Sequence, residues 1–430
     1  MKEKLNKIIS LAKTATAKNT YLVFVGNSLA GFIGMVLMIV ISRVLGPNDF
    51  GVFSVSFAML SLLAQFGDFG LNFAMVKNIS QSRARGEKDK IKKIFITVFW
   101  SKAVLCFFLG LMGYLFADFI SLKLLHLAKA NTPNRYIMAF CFLIVFYDLV
   151  RVYFEANKRF KESILMYISA NFLKLILVVT TCLVVHRFKN FIYFYLISPF
   201  LIGLIFFSRI KLKLKFCFYK REFRNLLKFS SWMAVSVIFA AIGENLNVFM
   251  VSSELASFQT GIYSAAEKFI LPFYLFAGAL GTVLISRTSE FLEVSHIKSF
   301  IKKVAVLQLV LLFICLGFLP FTFLLPFLLG QEYLASVEIL QILVVGSYFR
   351  LAITPLNSVF YPLGKSIIFA LDSIVQVILL FFLNRIFLSQ FQARGAAFSL
   401  VITNIVIFIT NYVFLYFILK KYEKKAGNLG

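Results

Sequence analysis

Twelve apolar runs, each of roughly 19–26 residues, follow one another along this 430-residue chain with short connections between them. At about 1.5 Å of rise per residue, each is long enough to cross about 30 Å of hydrocarbon as an α-helix. Inside lipid every backbone N–H and C=O needs a partner within the protein, so uninterrupted apolar runs of this length leave helix as the spanning structure. The runs lie near 22–42, 51–76, 94–117, 136–154, 163–185, 191–209, 226–251, 262–285, 304–328, 338–360, 367–388 and 395–419. The expected fold is all-α, a polytopic membrane protein of about 12 transmembrane helices. A hydrophobic content of 60%, with 54 Phe, agrees with that reading.

The 45 Lys and Arg against 19 Asp and Glu first suggest nucleic acid, a membrane surface or an acidic substrate. Their placement decides. With the N-terminus inside, 32 of the bases fall in inner loops and tails and 8 in outer loops or at an outer span end. By the positive-inside rule both termini are then cytoplasmic. Most of the charge serves topology and anionic-lipid contact, and no nucleic-acid partner is expected. The basic stretch from Met1 to Thr20 lacks a small-residue cleavage site and reads as a cytoplasmic lead-in.

The loops are too short to house a catalytic domain. There is no Walker A loop, HExxH, GxSxG or dinucleotide fingerprint, and His126, His186 and His296 lie in or beside loops. Cys106, Cys141, Cys182, Cys217 and Cys315 are scattered singly and read as small apolar side chains. No enzyme, metal or cofactor is expected.

The chain carries an internal repeat. Gly51-Val52-Phe53-Ser54 matches Gly261-Ile262-Tyr263-Ser264, and Ile79-Ser80-Gln81-Ser82 matches Ile285-Ser286-Arg287-Thr288 at nearly the same offset. Six spans separate the copies, so both halves share one orientation, the layout of transporters built from parallel repeats. The expected organisation is a lead-in over 1–21, a six-helix bundle over 22–209, a cytoplasmic linker at 210–225, a second six-helix bundle over 226–419 and a tail from 420 to 430.

The stretch Ser42-Arg43-Val44-Leu45-Gly46-Pro47, followed by Asp49-Phe50-Gly51-Val52-Phe53, resembles the first outer loop of polysaccharide flippases. Gly67-Asp68-Phe69-Gly70-Leu71 resembles their second-helix signature, and Phe154-Glu155-Ala156-Asn157-Lys158-Arg159-Phe160-Lys161 their loop between the fourth and fifth helices. The family is the Wzx-type (O-antigen) branch of the multidrug/oligosaccharidyl-lipid/polysaccharide (MOP) exporter superfamily. The resemblance implies movement of an undecaprenyl-pyrophosphate-linked oligosaccharide from the cytoplasmic to the outer leaflet of the bacterial inner membrane. It also implies a polysaccharide polymerase and other assembly proteins as partners. In this pattern the glycines serve turns or close helix approach, and Asp49 is expected to cap a helix starting near Phe50.

Five bases fall inside the spans: Lys102, Arg151, Lys174, Lys268 and Arg350. An ionised group at that depth costs roughly 2.5–3.5 kcal/mol or more, so such residues face a bundle interior or an aqueous cavity. Arg350, Lys174, Lys102 and Lys268 are the expected contacts for the pyrophosphate-sugar headgroup, Arg350 through a planar guanidinium set among Gly346, Ser347 and Pro355 in irregular backbone. Asp148, Arg151 and Glu155, at i, i+3 and i+7, share one helical face and read as a gate or ion cluster near the inner surface. Glu244 and Asp68 are the candidates for binding a coupling ion. Tyr147, Tyr153 and Tyr348 are able to stack on sugars.

Three other functions fit the layout less well. A peptidoglycan lipid-precursor flippase usually has fourteen spans. A multidrug/cation antiporter concentrates acids in its cavity. A membrane-bound polysaccharide polymerase or ligase is an enzyme with a large outer loop.

Overall fold

In the computed structural model each of the twelve apolar runs forms helix. The structure describes residues 15–124, 135, 137–184, 188–210, 217, 219–288, 294–360 and 367–427. The readings placed on Met1 to Thr14, His126, His186 and most of the linker lie outside these residues.

The helices are α1 (Ala15–Asp68), α2 (Leu71–Ala84), α3 (Lys88–Asp118), α4 (Phe142–Ala156), α5 (Phe160–Val184), α6 (Phe188–Phe207), α7 (Lys220–Glu254), α8 (Ser257–Phe269), α9 (Leu271–Thr288), α10 (Val294–Phe318), α11 (Leu325–Leu329), α12 (Ala335–Phe360), α13 (Ile367–Phe391) and α14 (Ala393–Gly427). Eight described helices are long and apolar enough to cross a membrane. One of them, Tyr21–Asp68, has 48 residues. At 1.5 Å per residue that is roughly 70 Å, enough for two passes. The turn between the two falls at Gly46, whose φ of 67° is open to glycine and strained for any residue with a Cβ. Pro47 follows at once, in the first helical position, where its missing N–H costs nothing. Helix therefore restarts at Pro47 and Asp49 lies inside the first turn, so the expected capping role of Asp49 is not what the backbone shows.

The second apolar run divides at Phe69 (φ 47°) and Gly70 (φ 70°), ending α1 and starting α2. The eighth divides at Ile270 into α8 and α9. The ninth comprises α10, a 3₁₀ stretch Leu319–Leu324 opened by Pro320, and α11.

Two compact units emerge. The N-terminal unit holds the chain up to Ile41, residues 59–121 and residues up to Val237; the C-terminal unit holds Ser42–Ala58 and Ile238 onward. The border thus falls inside α7, beyond the linker segment.

The N-terminal unit centres on an apolar core of α2, α3, α4 and α6, in which Phe95, Phe146, Phe154 and Phe206 pack with Tyr153 and Phe207. Large apolar side chains such as Phe107 and Leu115 are exposed, as lipid-facing helix surfaces require. In the C-terminal unit α12 packs chiefly against α14, with Leu356, Val359 and Phe360 meeting Leu415 and Phe408. The two repeat signatures meet here: a Cβ on Gly51 would lie 2.0 Å from the carbonyl oxygen of Ser257, and one on Gly261 1.8 Å from that of Pro47. Glycine at both positions lets backbone lie on backbone.

Candidate functional site

The N-terminal unit gathers six of the nine candidate residues. Where α1 gives way to α2, Asp68 Oδ1 accepts from the backbone N–H of Asn72 at 3.1 Å, tying down a donor at the new helix start. Lys102 of α3 reaches the same oxygen at 2.6 Å and Asn72 Oδ1 at 2.7 Å. The Lys102 side chain is 0% exposed and that of Asp68 10% exposed, so this is a closed ion pair. Gly70 permits the turn by its φ of 70°, and its missing Cβ also admits α7, whose Ala234 N and Ser230 O lie 2.9 Å from where a Cβ would stand.

On α4, Arg151 lies 2.6 Å from Glu155 Oε1 and 3.6 Å from Asp148 Oδ1, joining the three residues that the spacing places on one face. Ser163 Oγ donates to the same Glu155 oxygen at 2.8 Å, fastening the start of α5. Lys174 on α5 has no carboxylate within 4 Å among the described residues; its Nζ sits 4.6 Å above the Tyr195 ring, a cation–π contact, with Asp148 in electrostatic range. Asp148 also lies within electrostatic range of Lys102 and Asp68, so it connects the whole set. Three bases and three acids share this interior, which is balanced rather than uniformly cationic.

The C-terminal unit gathers the other three. Arg350 on α12 has no carboxylate within 4 Å among the described residues, yet Glu244 of α7, Tyr274 of α9 and Asp372 of α13 lie within its electrostatic range. Glu267 acts on Glu244 and Tyr274 in the same way. Lys268 is 3.2 Å from Glu267, with its ammonium 5.6 Å from the Phe57 ring centroid. The backbone around Arg350 is continuous helix, which corrects the expected irregularity. Gly346 instead brings α14 close, with Val401 3.1 Å from where a Cβ would stand, and Thr354 Oγ1 donates to the Arg350 carbonyl beside Pro355.

Sequence reasoning missed several partners. Tyr195 and Tyr167 lie against the N-terminal set, and Asn72 completes the Lys102 pair. Asn247 Nδ2 donates to Tyr263 Oη at 2.8 Å, and Asn384 Nδ2 to Asn247 Oδ1 at 2.7 Å, a buried neutral network. The stripe Ser163, Tyr167, Asn171, Lys174 at i, i+4, i+8 and i+11 was legible as a polar face of α5. The long-range pairs carry no local signal.

The profile of the family described as "Polysaccharide biosynthesis protein" matches residues 16–292. A "Putative O-antigen transporter" of Shigella flexneri is 24% identical over 400 residues, spanning 89% of this chain and 93% of that protein. An inward-facing MATE-family multidrug resistance transporter of the MOP superfamily superposes with a TM-score of 0.77 at 14% identity, covering 92% of this chain and 96% of that one. The lipid II flippase MurJ, in an inward closed conformation, also gives 0.77 at 16% identity, covering 92% and 87%. The fold is that of the MOP-superfamily transporters, and the chain belongs to the polysaccharide biosynthesis protein family.

Proposed function

We propose that this protein is a flippase that moves an undecaprenyl-pyrophosphate-linked oligosaccharide, the repeat unit of an O-antigen or other surface polysaccharide, from the cytoplasmic to the outer leaflet of the inner membrane by alternating access. One observation carries the geometric case. Of the five bases inside the spans, Lys174 and Arg350 are without a carboxylate within 4 Å among the described residues, whereas Lys102 and Lys268 each have one and Arg151 has two. An ammonium and a guanidinium left open in this way suit pyrophosphate oxygens. In this reading Lys174 and Arg350 bind cargo, Lys268 supports from beside Glu267, and Lys102 holds the helix break.

Movement against a gradient needs an energy source, and an ion gradient is the one this chain is equipped to use. Glu244 is the coupling candidate that the geometry favours: it is exposed and has no Lys or Arg nitrogen within 4 Å among the described residues, whereas Asp68 is taken by Lys102. The chain performs no covalent step on the cargo, and both termini lie in the cytoplasm. Polymerase and other assembly proteins act on the product in the outer leaflet.

The test is transport in vesicles reconstituted with purified protein and a fluorescent undecaprenyl-pyrophosphate-linked oligosaccharide. Wild-type protein moves the label between leaflets, and Lys174→Glu and Arg350→Glu abolish movement while remaining folded in the membrane. Unchanged transport in both variants overturns the assignment. Transport of lipid-linked peptidoglycan precursor in preference to the oligosaccharide transfers the protein to the peptidoglycan reading.

A further inference from the structure

Helices α4 and α5 are joined by a tight turn at Asn157 to Arg159, with Lys158 at a φ of 56°, so they run antiparallel and in contact. Each carries a polar stripe at helical spacing. On α4 it is Tyr147, Arg151 and Glu155; on α5 it is Ser163, Tyr167, Asn171 and Lys174. Residues at i, i+4 and i+8 stay on one face, so each stripe is a line along a membrane-spanning helix.

The stripes belong to one another. Ser163 bonds Glu155 at the turn end, and Tyr167 lies within electrostatic range of Tyr147 and Arg151 from α4 and of Tyr195 from α6. Lys174 stands over Tyr195 at the far end. Although helices pack on both sides, Asp148 and Arg151 keep 36% and 30% of their side-chain surface open. Charged surface left open here, toward the inner end of α4, faces water in preference to lipid, because contact with the hydrocarbon would cost several kcal/mol.

Two features say what the track is built for. Among the described residues the buried Tyr147 hydroxyl has no hydrogen-bond partner, and Tyr167 makes no hydrogen bond. An unsatisfied buried hydroxyl costs about 1–3 kcal/mol, which a ligand with its own donors and acceptors removes. The fixed charges of the track are balanced, so it is not a site for an extended anion. A ligand with hydroxyls along its edges and C–H faces that lie flat on aromatic rings matches tyrosines, and a carboxylate such as Asp148 accepts from such hydroxyls.

We propose that Tyr147, Tyr167 and Asp148, with Tyr195 beside them, form a saccharide subsite in the N-terminal unit that reads the sugar next to the pyrophosphate held by Lys174. The proposal rests on the flippase reading and adds where sugar, as distinct from phosphate, is recognised.

The test measures binding of two lipids to the full-length protein by native mass spectrometry: undecaprenyl pyrophosphate bearing one N-acetylhexosamine, and bare undecaprenyl pyrophosphate. Wild-type protein binds the sugar-bearing lipid more tightly. The Tyr147→Phe/Tyr167→Phe double variant, which keeps both rings, weakens the sugar-bearing lipid about tenfold and leaves the bare lipid unchanged. Lys174→Gln weakens both. Wild-type binding that ignores the sugar, unaltered binding by the double variant, or equal loss of both lipids overturns the subsite while the flippase reading stands. Wild-type protein that binds neither lipid overturns the flippase reading and the subsite with it.

Discussion

A lysine with 0% exposure inside a membrane-spanning helix is tolerable only while its charge is answered, and Lys102 is answered by Asp68 and Asn72. Replacing Asp68 with Asn strands that ammonium, and breaking a buried pair from one side costs about 3–5 kcal/mol. The D68N protein is expected to lose thermal stability in detergent by that order, and adding Lys102→Met is expected to recover most of it. A double variant as unstable as D68N alone would show that the stability lost in D68N does not come from the stranded Lys102 charge. At Tyr333, in the connection before α12, burial with Glu332 beside it pushes the phenol above its usual range, so it stays a neutral donor to the Ser42 carbonyl at 2.8 Å. The Asp148–Arg151–Glu155 face was legible from spacing alone. The Lys102–Asp68 pair, 34 residues apart, was not, because no periodicity links side chains on different helices.

Helix boundaries in this protein are set by backbone freedom more than by polarity. Gly46 and Gly70 occupy conformations that L side chains rarely adopt, and each ends one helical run and opens the next. Gly51 and Gly261 lie within helices, and what they provide is room: added Cβ atoms would stand 2.0 and 1.8 Å from carbonyl oxygens of the facing helix. Backbone cannot yield as a side-chain tip does, so Gly51→Leu and Gly261→Leu are each expected to cost more than the usual 1–3 kcal/mol of overpacking and to stop transport. Gly34→Ala, with nothing within 4 Å of the new Cβ, is the control and is expected to leave stability and transport unchanged. Transport assays with detergent melting curves distinguish the three. The glycine motifs could be picked out in the sequence, but whether a given glycine turns the chain or admits a neighbour depends on what packs there.

On the scale of the whole molecule, charge outside the spans and charge inside them do different work. The excess of inner-loop Lys and Arg predicts that reporter fusions after residue 215 and at residue 430 are active as cytoplasmic reporters and silent as periplasmic ones; a periplasmic signal at either would invert the topology. Inside, three of the five bases are met by acids: Lys102 by Asp68 from another helix, and Arg151 and Lys268 by acids of their own helices. Lys174 and Arg350 are left to a tyrosine ring and to electrostatic neighbours beyond 4 Å. The sequence by itself determined the class of fold, because long apolar runs in lipid must satisfy their own backbone and only helices do so within one run. It also pointed to the family, whose signatures are written in residues close together in the chain. Which buried charges pair across helices, and that the polar stripes of α4 and α5 meet through Ser163 and Glu155, only the tertiary structure decided: Coulomb energy and hydrogen bonding depend on distances across helices, and those are fixed by packing.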